Sequence, residues 1–420
     1  MNSTTAKVQS EAIALNDTEA DLELSSAGKF AIWSAFASFL FLTQIAYNIG
    51  DFPVAVDFIC YALFAGYLLV SGYATLSVPI LFLLASVVSM AALRIPFSES
   101  RPSWSSLLLF CAIHVPFLFR LQRQPHLEAV QDYIANAFVS LACAIAAIGV
   151  VQFILVNVTH ISFFANIYFN LPEAIRGAGA YTRLREESGI VKANGFFLRE
   201  SAELSLVTAL GLLIEFGARR RLDRLILLAA GLAVSFSGSG LIALAAGLLL
   251  PRSLGRIPTF VAAACGLFIV LLVLYKLEIP ALSPWFGRLS EFTTPNTSAY
   301  ARFVAPLEIV QRSFDKGIMT TWLGNGAGSF ARDVGTARLR YEVSDPDWAK
   351  VTYEYGVTGF LLILAILIAR LYSSAQRVEV CNFFLFVWIS TSVVLKPGYG
   401  LLIWLFTVVP SMKYRSPPAD

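Results

Sequence analysis

Apolar blocks recur along the whole chain, and they limit what it can fold into more than any other feature. FAIWSAFASFLFLTQIAY (Phe30–Tyr47) is representative, approaching the ~20 helical residues that cross a hydrocarbon core. A segment in lipid has to satisfy its own backbone hydrogen bonds, so such blocks are read as helices. Spans are placed near Phe30–Tyr47, Val54–Val70, Leu76–Leu93, Ser105–Phe119, Ile134–Val156, Leu204–Phe216, Leu225–Phe236, Gly240–Leu250, Thr259–Tyr275, Gly356–Ile368, Val380–Leu395 and Leu401–Met412. Only 14% of the 420 residues are charged, against about a quarter in a soluble domain, so water is not the main solvent. The expectation is an all-α polytopic membrane protein with 11–12 transmembrane helices over residues 30–412.

Charge placement gives the orientation. Residues 1–29 are polar and mildly acidic rather than basic and then apolar, so they read as a disordered cytoplasmic tail, not a cleavable signal. With that tail inside, the inward loops hold Arg120 and Arg123, Arg219–Arg221 and Arg224, Arg252 and Arg256, Arg370 and Arg377, and a tail at 413–420 with Arg415. The short outward loops hold only Arg94, Arg101 and Lys396, which fits the positive-inside rule with both termini cytoplasmic. Leu225–Phe236 and Gly240–Leu250 are separated only by SGSG and read as one long helix or as a hairpin turning at Ser237–Gly240; the basic clusters at both ends favour the hairpin.

Two stretches, 157–201 and 276–355, do not suit a lipid-facing helix, and both fall on the outer side as large, ordered, partly helical loops. They carry Arg176, Arg183, Arg185, Arg199, Arg288 and Arg302, cations on the side where the trend disfavours them, which suggests a ligand. A guanidinium is permanently charged and forked, suited to gripping phosphate or diphosphate. The net charge of +3 is small and spread through short loops, arguing against nucleic acid as a partner. Five cysteines without CxxC spacing and three scattered histidines predict no disulfide framework and no metal site. Carboxylates within spans are scarce, Asp57 and Glu215 being the main ones, which argues against an ion-coupled transporter.

Four segments carry a family resemblance. NGFFLRESAELSLVTALGLL (Asn194–Leu213), SFSGSGLIALAAGLL (Ser235–Leu249), YARFVAPLEIVQRSF followed by WLGNGAGSF (Tyr300–Phe330) and DWAKVTYEYGVTGFLLILAILI (Asp347–Ile368) resemble, in this order, pieces of the O-antigen polymerase and O-antigen ligase superfamily. The chain departs from the family pattern in having Ser237–Gly238 where a Ser-Arg opens the short span, and Asp345 and Asp347 where ligases carry a histidine. The resemblance therefore favours a polymerase. It implies a membrane-embedded glycosyltransferase architecture of the GT-C kind in the bacterial inner membrane. It also implies an undecaprenyl-diphosphate-linked oligosaccharide as substrate, no cofactor and no metal, with a chain-length regulator and export proteins as expected partners. A ligase, or a flippase for lipid-linked oligosaccharide, is the alternative.

Each candidate residue has a structural role to weigh against the functional one. Arg302 is the first choice for the diphosphate, against a surface salt bridge; Arg199 and Arg288 would assist it. Glu200 and Asp347 are candidates for the base at the acceptor hydroxyl, against an interfacial ion pair with Arg199 and a helix cap respectively. Arg176, Arg183 and Arg185 would form an acceptor surface, or merely a solvated face beside Glu186 and Glu187. Tyr300 could stack on a sugar or belong to the aromatic belt of the membrane interface. LGNGAGSF resembles a phosphate cradle, but a tight turn is the better expectation, and His114 is expected to be a bonded interior histidine.

Overall fold

The computed structural model describes residues 25–49, 52–122, 127–177, 190–218, 220–276, 292–295, 297, 300–337, 341–392 and 395–411. The long apolar runs form helices: α1 Ser26–Phe41, α2 Val56–Val70, α3 Val78–Arg94, α4 Trp104–His114, α5 Leu127–Asn157, α6 Ser201–Gly217, α7 Leu222–Val234, α8 Gly238–Leu249 and α9 Ile257–Lys276. Among the described residues of the large loop are three short helices, α10 Ala305–Phe314, α11 Ile318–Leu323 and α12 Ser329–Thr336; then come α13 Asp347–Tyr372, α14 Val378–Ser390 and α15 Pro397–Thr407. Each expected span corresponds to one helix, with ends shifted by several residues. Among the described residues, three stretches are long and apolar enough to cross a membrane, Val78–Phe97, Leu127–Asn157 and Asp347–Tyr372.

Besides the helices, the described residues contain two small antiparallel strand pairs, which the all-α expectation does not include. β1 (Ala46–Ile49) pairs with β2 (Phe52–Ala55), and β3 (Ala74–Leu76) with β4 (Phe119–Leu121). They tie off the backbone where helices stop. The first pair lies at the end of the bundle that carries both long loops, here the loop end; the second lies at the opposite end.

The core is centred on α15, whose residues from Gly398 to Thr407 are all buried, as expected of a helix that is apolar on every side. Phe406 packs on Phe138 with ring centroids 5.3 Å apart, and Trp404 meets Tyr61 at 5.4 Å, both edge-to-face. His114 sits in this interior with Nδ1 2.9 Å from the Phe110 carbonyl and its ring stacked on Phe110.

The SGSG segment turns the chain. Ser237 caps α8, and small residues let the hairpin approach its neighbours closely: Cβ atoms placed on Gly231 and Gly247 would lie 2.7 Å from the Ala146 Cβ and 2.9 Å from the Glu379 carbonyl. Along α6, Gly211 faces Leu228 and Thr208 faces Gly231, while Ser205 meets Gly240 and Leu213 meets Gly247. Thus α7 runs against α6 and α8 runs with it, which makes α7 and α8 a hairpin.

Helix α13 is broken near its start, at Gly356 (φ 69°). The break frees the carbonyls of Tyr353 and Glu354, and the large loop supplies their donors: Asn325 N at 2.9 Å and Gly326 N at 2.8 Å. Gly324 (φ +75°) makes the approach possible, since a Cβ there would lie 2.4 Å from the Glu354 carbonyl oxygen. Glycines 324, 326 and 328 therefore thread the loop into a helix kink, the structural role weighed above.

Candidate functional site

Candidate residues from distant parts of the sequence gather at the loop end, on three adjoining pieces. The first is the serine turn. Ser205 on α6 donates to the Ser237 carbonyl (3.1 Å) and accepts from Gly240 N (2.7 Å), so the turn between α7 and α8 is pinned to α6. One irregular helical turn, Tyr300–Val304, then brings Arg302 against it, with Nη1 donating to Ser239 Oγ at 3.2 Å. Arg302 is half-buried and, among the described residues, forms no ion pair. It faces the first turn of α8, the positive end of that helix, and a side chain at Gly238 would meet only open space.

The second piece is the start of α6. The Arg199 guanidinium donates twice to the Thr43 carbonyl, from Nε at 3.3 Å and Nη2 at 3.0 Å, while its backbone N–H donates to Glu203 Oε2 at 2.9 Å. Glu200 occupies the cap position of α6 without a side-chain capping bond and is half-exposed. Asp57, 2% exposed at the start of α2, and Glu203 both lie in the electrostatic field of Arg199.

The third piece is the entry to α13. Lys350, 7% exposed, bonds Asp345 Oδ2 at 2.7 Å, and Ser392 Oγ donates to the same oxygen at 2.9 Å. Burial would raise the Asp345 carboxyl, but the Lys350 ammonium and the Lys396 charge hold it below the usual carboxylate range. Lys396 also acts on Glu203, so this one cation connects the second and third pieces. Asp347 is fully buried at the first position of α13, where Pro346 rather than Asp347 is the cap, and its N–H donates to the Thr391 carbonyl at 2.9 Å.

No protein-family model matches this chain, and no curated protein matches it.

Tyr300 is engaged within the loop. Its hydroxyl donates to Glu308 Oε1 (2.9 Å), Tyr341 donates to Oε2 (2.6 Å), and the two rings meet edge-on at 5.4 Å. These two hydroxyls draw the Glu308 carboxyl below its usual range; burial and the same bond push Tyr341 up to about 12, and the bond raises Tyr300. Arg176 lies apart from the three pieces, donating from Nε to the Leu171 carbonyl (2.7 Å) and resting 5.3 Å from the Tyr168 ring centre. Arg183, Arg185 and Arg288 lie outside the described residues.

Sequence reasoning did not single out Ser239, Lys350 or Lys396 as site residues. A signal existed for two of them: Lys350 lies between Asp345, Asp347 and Glu354 just before an expected span, and Lys396 is one of few cations in the short loops of this end. Ser239 carried none, because a serine in a turn is ordinary.

Proposed function

We propose that this chain is a membrane-embedded glycosyltransferase that polymerises oligosaccharide repeat units carried on undecaprenyl diphosphate, at the outer face of a bacterial inner membrane. The observation that carries the reading is Arg302: a half-buried guanidinium at the positive end of α8, held by one neutral hydroxyl and with its charge not cancelled by a carboxylate among the described residues. Such a group is poised for an anion, and a diphosphate leaving group is the anion that glycosyl transfer from a lipid carrier requires.

In this mechanism the donor diphosphate rests on Arg302 and the first turn of α8, with Arg199 nearby on α6. The terminal hydroxyl of a second lipid-linked unit attacks the anomeric carbon of the donor sugar. The new C–O bond forms as the bond to the diphosphate oxygen breaks, the hydroxyl proton passes to a carboxylate, and the lipid diphosphate leaves carrying the bonding electron pair. Glu200 is half-exposed and within one residue of Arg199, whereas solvent does not reach Asp347 in this conformation; Glu200 is thus the better placed of the two candidate bases.

The test is chemical. Purified protein in detergent, given lipid-linked repeat units, should lengthen them, and Arg302→Ala should lose that activity while remaining folded. Unchanged units with the parent protein would point to a flippase, and normal product length with Arg302→Ala would remove Arg302 from the mechanism. In a deletion strain, single repeat units left on lipid indicate a polymerase, and full-length polymer left on lipid indicates a ligase.

A further inference from the structure

The large loop and helix α3 share an apolar surface that the bundle leaves bare. On α3, Phe82, Ser89 and Leu93 are exposed at helical spacing along one face, and Phe97 in the following turn extends it. Only 22% of this candidate span's most apolar window is buried, so most of it needs an apolar neighbour other than the protein. Helix α11 begins where that face ends. Thr320 turns inward, while Ile318, Met319 and Trp322 stand outward with exposures of 74%, 60% and 50%.

Six residues do not hold a helix in water unaided, so something fixes this one. Arg94, the last residue of α3, does so: Nε donates to the Gly324 carbonyl at 2.8 Å, Nη2 to Thr320 Oγ1 at 3.4 Å and Nη1 to the Phe97 carbonyl at 3.1 Å. One guanidinium thus joins the end of the apolar face of α3 to α11, and the two surfaces adjoin. Exposed Lys316 sits just before α11, its ammonium bonded to Ser100 Oγ and Asn325 Oδ1 at 3.3 Å each.

We propose that Ile318, Met319 and Trp322 enter the headgroup region of a phospholipid leaflet, so that the large loop lies on the membrane instead of standing off it. The occupant is lipid because the surface continues the face that α3 would turn to lipid. Its chemistry is that of an interface, a tryptophan with aliphatic side chains beside a lysine at phosphate level. The inference does not depend on the glycosyl-transfer reading.

The test uses the full chain with its five cysteines replaced, reconstituted in vesicles of phosphatidylcholine and phosphatidylglycerol. Nitroxide labels go on Met319→Cys, on Phe82→Cys as the lipid reference and on Thr336→Cys as the aqueous reference. Position 319 should collide with oxygen more, and with a water-soluble nickel chelate at least threefold less, than position 336. Equal behaviour at 319 and 336 would overturn the proposal, as would shielding of 319 from both reagents, the signature of a protein partner. A second measurement keeps the native cysteines: brominated lipid should quench the parent's tryptophan fluorescence more than that of Trp322→Phe. Equal quenching would count against lipid contact at this helix.

Discussion

The two ends of the helical bundle treat their arginines differently. At the end opposite the loops, Arg224 pairs with Glu215 at 3.5 Å, Arg252 and Arg377 share Glu379 at 3.0 and 3.5 Å, and Arg221 meets Asp223 at 3.1 Å. At the loop end, Arg94, Arg176, Arg199, Arg302 and Arg332 instead direct their guanidinium bonds to carbonyl or hydroxyl oxygens. The division has exceptions: Arg120 and Arg370 bond carbonyls at the opposite end, and Arg312 stands 4.0 Å from Glu308 at the loop end. A carboxylate cancels a guanidinium's charge, while a carbonyl only orients it. Among the described residues, the opposite end therefore neutralises several arginines with carboxylates, whereas Arg302 at the loop end keeps a charge with no carboxylate within ion-pair distance.

The strongest way to break this contrast is to make the loop end resemble the other. Ser239→Asp would give Arg302 a carboxylate at the one atom it now bonds, in the first turn of α8 where an acidic residue suits the helix. Repeat-unit lengthening should fall on the order of 10²-fold, the scale for losing one charge-stabilising group, with thermal unfolding in detergent little changed. Activity equal to the parent's would mean that the free charge of Arg302 has no role. The converse experiment removes a partner at the opposite end. Glu215 is buried, bonds the Arg221 amide at 2.9 Å and faces an Arg224 that is itself mostly buried. Glu215→Ala leaves that cation without its carboxylate, held only by Asn136 Oδ1 at 2.9 Å and Ser140 Oγ at 3.3 Å, and should cost about 3 kcal/mol of stability while the transfer rate per folded molecule is unchanged.

The division between the ends was partly legible in the chain. Apolar periodicity located the helices, because a span in lipid has to be apolar and helical at once. The hairpin at Ser237 was favoured by the flanking arginines, yet what fixes it is tertiary: the hydroxyl of Ser205, 35 residues from its partner Gly240, closes the turn. Gly324 and Gly356 lie in separate segments, and nothing local tells that one threads the kink made by the other. Arg302 is singled out by its match to the family's loop arginine, and Arg199 by residue type and its place just before a span. Lys396 is not, because it acts on Glu203 of α6 from the far end of the chain, and Lys350 is not, although its partner Asp345 lies only five residues before it.

Smaller effects sharpen the contrast. Glu379→Gln should cost roughly 1 kcal/mol, since Arg252 and Arg377 are about half-exposed and solvent takes over much of the lost interaction. The smallest expected effect is a pH response confined to the large loop. The hydroxyls of Tyr341 and Tyr300 hold the Glu308 carboxyl below the 4.5 usual for glutamate. A carboxyl lowered on folding contributes stability that is fully present above its unfolded value and is lost as pH falls through the lower folded value. The seat of Tyr300 against α10 should therefore hold at neutral pH and loosen in acid, as pH falls below the usual glutamate range, with faster pepsin cleavage of the loop while the helical bundle stays intact. Glu308→Gln keeps a hydrogen-bond acceptor but has no carboxyl to titrate, so its cleavage rate should lack that component. If the two proteins share one pH profile, the clamp around Glu308 does not govern how the large loop is held.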